Sequence, residues 1–111
     1  MIFQHTLEQV LSGKKTQTRR RIKLDKKFIY RVGKAYAIQP KRGKPAVARF
    51  EATAIRKQRL GEMTHEEALA EGFTGAADYQ KLWEKQYGSF NPDEEVCVIE
   101  FRLLQHGETP F

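Results

Sequence analysis

Gly13-Lys14-Lys15-Thr16-Gln17-Thr18-Arg19-Arg20-Arg21-Ile22 is the stretch on which the reading of this chain turns. Its threonines alternate, and β-branched residues at every second position predict an extended strand. On such a strand Thr16, Thr18 and Arg20 share one face, while Lys15, Gln17, Arg19 and Arg21 share the other. Just ahead, Thr6-Leu7-Glu8-Gln9 reads as a capping box, and Leu7, Val10 and Leu11 fall on one helical face. Gly13 stands where that helix has to stop with positive φ. A short helix over about residues 7–12 is therefore predicted, followed at once by a cationic strand.

Working outward, Gly33 turns the chain into a strand over 35–39 that Pro40 ends. Residues 41–45 read as a turn, and a long strand is predicted over about 46–56. Thr64-His65-Glu66-Glu67 is a second capping box, opening a helix that Gly72 stops. Tyr79, Leu82, Trp83 and Tyr87 recur at helical spacing, which predicts a third helix before Gly88. A turn at Asn91-Pro92-Asp93 leads to a closing, mostly buried strand over 96–104. There is no internal repeat and no linker that would separate two domains. The expected organisation is one α+β domain over residues 1–104 with a tail over 105–111. Two of its three short helices lie between the long strand and the closing one, an order that suits a small β-barrel better than βαβ units.

The 111 residues carry 20 Lys+Arg against 14 Asp+Glu, a net charge of +6. The charge is unevenly placed. Residues 1–50 hold 14 Lys/Arg and two acids, Glu8 and Asp25, a net +12, whereas residues 51–111 hold six Lys/Arg and 12 acids, a net −6. A basic half points to an anionic partner such as a nucleotide or nucleic acid, although two solvated faces of opposite sign would give the same arithmetic. The single cysteine, Cys97, excludes an internal disulfide and suits a reducing compartment. No apolar run is long enough to span a membrane, and no secretory leader is read at the start. The expected setting is the cytoplasm, as a monomer or weak homodimer.

Several chemistries are set aside by spacing. His5, His65 and His106 lack ligand spacing and Cys97 has no thiol partner, so no metal site and no cofactor are expected. Neither common nucleotide-binding glycine loop is present; Gly13-Lys14-Lys15-Thr16 follows a helix, whereas a phosphate loop follows a strand. What remains is nucleophilic chemistry. Lys15 among Lys14, Arg19, Arg20 and Arg21 feels like charges that favour its neutral form, and burial would add to that. A neutral amine can serve as general base for the Thr18 hydroxyl. On an ideal strand the two point to opposite faces, so the pairing needs a bend. A solvated strand, with Thr there for β propensity and Lys/Arg for solubility, uses the same residues. Tyr79, Trp83 and Tyr87 read as core.

The stretch Gly13 to Arg20 resembles the signature of the ASCH family, small domains similar to the PUA fold of RNA-modifying proteins. Matching features follow in order: Val10-Leu11-Ser12, Val32-Gly33-Lys34, the Ala68 to Phe73 helix end, the Trp83 helix and Val98-Ile99-Glu100-Phe101. The resemblance covers about residues 2–104. It implies a β-barrel whose cleft is lined by the basic signature, so that Thr16, Arg19, Arg20 and Tyr36 are expected to contact the ligand. Some small bacterial members are amidohydrolases that remove the acyl group from N4-acylated cytidine, N4-acetylcytidine above all, with a lysine, a threonine and a glutamate. Those residues correspond to Lys15, Thr18 and Glu71, with Glu67 the alternative for the third.

This sequence departs from that pattern at Gln17 and at Arg19-Arg20-Arg21, where a more apolar alternation is expected. Added positive charge suits a phosphorylated or polymeric ligand better than a neutral nucleoside. The expected partner is therefore a modified nucleoside or nucleotide, with RNA as a further candidate. A non-catalytic RNA-binding module, with Tyr30 and Tyr36 stacking bases, is the alternative function, and ribonuclease activity a more distant third.

Overall fold

The computed structural model describes residues 1–22 and 30–105. The expected tail beyond Gln105, including His106, lies outside them. The elements run α1 (Leu7–Leu11), β1 (Gln17–Arg21), β2 (Ala35–Ile38), β3 (Ala48–Arg59), a 3₁₀ turn (Leu60–Glu62), α2 (His65–Ala70), α3 (Ala76–Tyr87) and β4 (Glu95–Leu103). The class is α+β, with α2 and α3 between the long and closing strands.

One antiparallel sheet holds all four strands in the order β1-β4-β3-β2. Its central strand β4 carries Val96, Cys97, Val98 and Ile99, all buried, as a strand covered on both faces requires. A shift in register between Ala52 and Ala54 marks a bulge in β3, which increases local twist. Among the described residues the sheet is open and does not close into the expected barrel. β1 and β2 end the sheet at opposite edges, and no ladder joins them among the described residues. The N-terminal segment lies between these edges, where Ile2 makes one parallel bridge to Gln39.

Local signals account for most boundaries. The Thr64 hydroxyl accepts from the Glu67 amide at 3.1 Å and the Glu67 carboxylate accepts from the Thr64 amide at 3.0 Å, completing the box that starts α2. At the other end Gly72 has φ +95°, while the Gly72 amide donates to Leu69 O and the Phe73 amide to Ala68 O, each at 3.0 Å. That is a Schellman stop, which needs a left-handed residue at its centre. The Thr6 box does not form: its backbone has φ −131° and ψ 19° and its hydroxyl caps nothing, because an N-cap side chain is aimed at the first-turn amides only from an extended backbone.

Two apolar clusters hold the sheet from its two sides. Phe3, Val10, Ile38, Phe50 and Phe101 form one; Leu60, Tyr79, Trp83 and Val96 form the other.

Candidate functional site

Residues 14–16 do not continue β1 but thread between helices. The Lys15 amide donates to Gln9 O at 2.9 Å, the Thr16 amide donates to Ala70 O at 2.8 Å, and Thr16 O accepts from the Phe101 amide at 2.9 Å. Gly13, at φ +81°, lets the chain double back beneath α1 in this way. The bend that a Lys15 and Thr18 pairing demands is thus supplied before the strand begins. Both side chains reach one cavity of about 640 Å³, together with Arg19, Arg20 and Glu71.

Lys15 is only 4% exposed. Its Nζ donates to Glu71 Oε1 and to Glu71 O, each at 2.8 Å, across 56 residues of sequence. The carbonyl is an open one at the end of α2, where a cation is favoured. The rings of Phe3 and Phe73 lie 5.9 and 6.0 Å from the same nitrogen. Burial pushes the Lys15 ammonium below its ordinary pKa; the Glu71 carboxylate opposes that shift, and Arg20 and Arg19 add to it. The neighbouring cations are thus the lesser cause and burial the larger.

Thr18 is 1% exposed and its Oγ1 accepts from Arg20 Nη1 at 2.9 Å. Arg20 also donates to Arg19 O at 3.1 Å and to Ile2 O at 3.2 Å. No direct hydrogen bond joins Lys15 and Thr18; they face the cavity side by side.

Arg19 has a different place from the expected ligand contact. Its guanidinium is fully enclosed, and five contacts occupy it: Gln58 Oε1 at 3.1 and 2.6 Å, Gln17 Oε1 at 2.6 Å, Glu71 Oε2 at 2.9 Å and Glu67 Oε2 at 2.9 Å. A guanidinium has five N–H donors, so Arg19 has none left for a ligand. It holds Glu71 in place instead. Glu67 stands farther out, bonded to Arg19, Arg56 and Gln58, and Lys15 pairs with Glu71.

Two further expected contacts are not brought to the cavity. Thr16 is exposed and acts through its backbone. Tyr36 packs on Phe50 at 5.6 Å, and its hydroxyl accepts from the Arg31 amide at 2.6 Å. Tyr30, against Tyr36 at 4.8 Å, does line the cavity. Tyr79 and Trp83 are core residues as expected, whereas Tyr87, at the last turn of α3, is exposed; all three present a surface to the cavity. Burial, with the Glu71 charge beside it, pushes the Tyr79 phenol above its usual range, so it stays neutral. Arg42, in the β2–β3 turn, reaches the same cavity, and nothing in its local sequence marks it. Among the described residues no cluster of His, Cys, Asp or Glu could hold a metal ion.

A family model for the ASCH domain matches residues 2–105. The chain belongs to the ASCH domain family. Solved structures agree with that fold. One is an ASCH domain from Lactobacillus crispatus JV V101, with a TM-score of 0.73 at 17% identity over 86% of this chain and 68% of that one. Another is protein EF3133 from Enterococcus faecalis V583, with a TM-score of 0.71 at 19% identity over 87% of this chain and 65% of that one. No curated protein matches by sequence. No helix of this ASCH domain, among the described residues, is long and apolar enough to cross a membrane.

Proposed function

We propose that this ASCH domain is an amidohydrolase that removes the acyl group from N4-acylated cytidine. The observation that carries the reading is the convergence on one cavity of Lys15, Thr18 and Glu71, with the buried Lys15 Nζ 2.8 Å from Glu71 Oε1. Lys15 and Thr18 are the motif positions at which the sequence resembles the small bacterial amidohydrolases, and Glu71, rather than the alternative Glu67, is the glutamate paired with Lys15.

The geometry suits the chemistry. A neutral Lys15 amine has two N–H bonds, which the two Glu71 contacts would satisfy, leaving its lone pair unengaged. Thr18 Oγ1 already accepts from Arg20, so its own proton is free to leave toward Lys15, directly or across one water. The Thr18 oxygen, held by Arg20 Nη1, attacks the acyl carbon, and the carbonyl oxygen takes up the negative charge. The C–N bond to the cytosine amine then breaks, and the proton held by Lys15 passes to that nitrogen. Water, deprotonated by the same lysine, cleaves the threonine ester to carboxylate and free hydroxyl.

The test is acetate release from N4-acetylcytidine by the purified wild-type chain, alongside Lys15→Ala and Thr18→Ala. The expected result is turnover in wild type that both substitutions abolish in folded protein. Absence of turnover in wild type, or full turnover in either variant, overturns the reading.

A further inference from the structure

Four Lys/Arg side chains line the cavity among the described residues: Lys15, Arg19, Arg20 and Arg42. Only one carboxylate, Glu71, lines it with them. Lys15 and Arg19 both lie against that carboxylate, and Arg19 has Glu67 besides. Among the described residues the other two cations have no carboxylate within ion-pair distance. Arg20 donates only to Thr18 Oγ1, Arg19 O and Ile2 O. Two of its five N–H donors, counting Nε, are left without a partner. Arg42 is exposed and makes no hydrogen bond or ion pair among the described residues.

The fold keeps these two arginines on one wall. Arg20 Nη2 holds Ile2 O at 3.2 Å. The Met1–Phe3 segment is in turn tied to Gln39, through Phe3 N to Gln39 O at 3.0 Å and Gln39 N to Met1 O at 2.9 Å. Gln39 Nε2 donates to Lys44 O at 3.1 Å across the turn that carries Arg42. A single short segment thus spans from the Arg20 guanidinium to the turn bearing Arg42. Unpaired cations on the wall of a cavity attract an anion, and guanidinium groups match a phosphate's planar oxygen pairs.

We propose that the cavity takes its acylated cytidine as a nucleotide, with the phosphate monoester held by Arg20 and Arg42. The reacting end then lies at Lys15 and Thr18 and the phosphate at the outer wall. This rests on assigning the cavity to an N4-acylated cytidine, and goes beyond it in selecting the nucleotide over the nucleoside.

The experiment measures binding of the deacylated probes cytidine, cytidine 5′-monophosphate and cytidine 3′-monophosphate by calorimetry at low salt. Wild type is compared with Arg42→Gln, which removes a guanidinium that makes no hydrogen bond or ion pair among the described residues. The expected result is that one monophosphate binds about tenfold or more tightly than cytidine, and that most of this difference disappears in Arg42→Gln while cytidine binding is unchanged. Equal affinity for cytidine and both monophosphates, no binding of either monophosphate, or a preference that survives Arg42→Gln overturns the proposal. So does an oligocytidylate that binds far more tightly than either monophosphate with a salt dependence of several phosphates, which would assign the wall to RNA. Because product binding needs no turnover, a chain that binds the monophosphate through Arg42 but releases no acetate would overturn the reaction alone.

Discussion

Glu71 gives both of its carboxylate oxygens to cations from the basic half of the chain, Oε1 to Lys15 Nζ at 2.8 Å and Oε2 to Arg19 Nη1 at 2.9 Å. The acidic and basic halves are therefore joined through a buried residue, and that residue sits at the C-cap of α2. A carboxylate so placed has two consequences: it compensates two enclosed charges, and it directs the amine that faces the cavity.

Removing that charge is expected to be costly. Glu71→Gln leaves Arg19 and Lys15 with less compensation in a dry environment, a change that typically costs about 3–5 kcal/mol. Chemical denaturation at neutral pH should show this as a lower midpoint, and acetate release should fall with it. Glu67→Gln tests the other glutamate. It removes the charge that faces Arg19 and Arg56 while a glutamine can still complete the α2 capping box, so stability should drop modestly while the hydrolysis rate of the folded fraction stays near that of wild type. Equal loss of rate in both variants would remove the distinction between the two residues.

The pH profile follows from the direction of the Lys15 shift. Its ordinary pKa is 10.5, and burial moves it down. In the proposed reaction the deprotonated amine is the base, so kcat/KM should rise with pH, about tenfold per unit below the Lys15 pKa, and level off short of pH 10.5. Arg20 lowers that pKa, so Arg20→Gln should move the rising limb to higher pH as well as slow the reaction. Stability responds in the same window. Between the folded and unfolded pKa values the unfolded chain binds the extra proton, so the Lys15 contribution to stability improves as pH rises. Comparing denaturation midpoints of wild type and Lys15→Met across alkaline pH isolates it; a profile with no alkaline limb contradicts the lysine as base.

How much of this was legible before folding depended on the range of each signal. The Thr64 and Glu67 box and the stops at Gly72 and Gly88 involve residues a few positions apart, and they stand where the sequence places them. Lys15, Thr18 and Glu71 were named through a motif, and the structure gathers them at one cavity. Arg19 could not be read in the same way. A cation in a cationic strand looks solvated until Glu67, Glu71 and Gln58 arrive from elements about 40 to 50 residues away. The open sheet was missed for a related reason, because strand count and order do not say whether the edge strands β1 and β2 meet. Tyr79 and Trp83 were correctly placed in the core by their spacing, which is silent on the side they show to the cavity.

Trp83 offers a direct report of occupancy. It is the single tryptophan of the chain, it is 3% exposed, and it lines the cavity with Tyr87 packed on it at 4.5 Å. Its Nε1 has no hydrogen-bond partner. A ligand entering beside Tyr79 and Trp83 changes the polarity around the indole, so cytidine 5′-monophosphate should produce a saturable change in emission. Thr18→Ala should bind and respond similarly without turnover. Binding measured by calorimetry with no change in emission would place the ligand away from the α3 wall.

Gly72 links helix termination to the Lys15 amine. Its φ of +95° is a conformation in which a side chain is strained, typically by about 1–2 kcal/mol. A Cβ built there would lie 3.1 Å from Gln9 Cβ and 3.5 Å from Lys15 Cβ. Gly72→Ala therefore presses on α1 and on the stem of Lys15 at once, at the residue next to Glu71. The cheapest relief is for the α2 end to shift outward, and that shift lengthens the contact between Lys15 Nζ and Glu71. The expected outcome is a folded protein with a lowered denaturation midpoint and a kcat that falls out of proportion to the fraction unfolded. Gln9→Ala in the same chain removes the Cγ contact at 3.2 Å but leaves the Cβ contact, and so should return only part of the lost stability. If Gly72→Ala loses stability but keeps wild-type kcat, the position of Lys15 does not depend on this turn, and the coupling between the α2 stop and the amine is wrong.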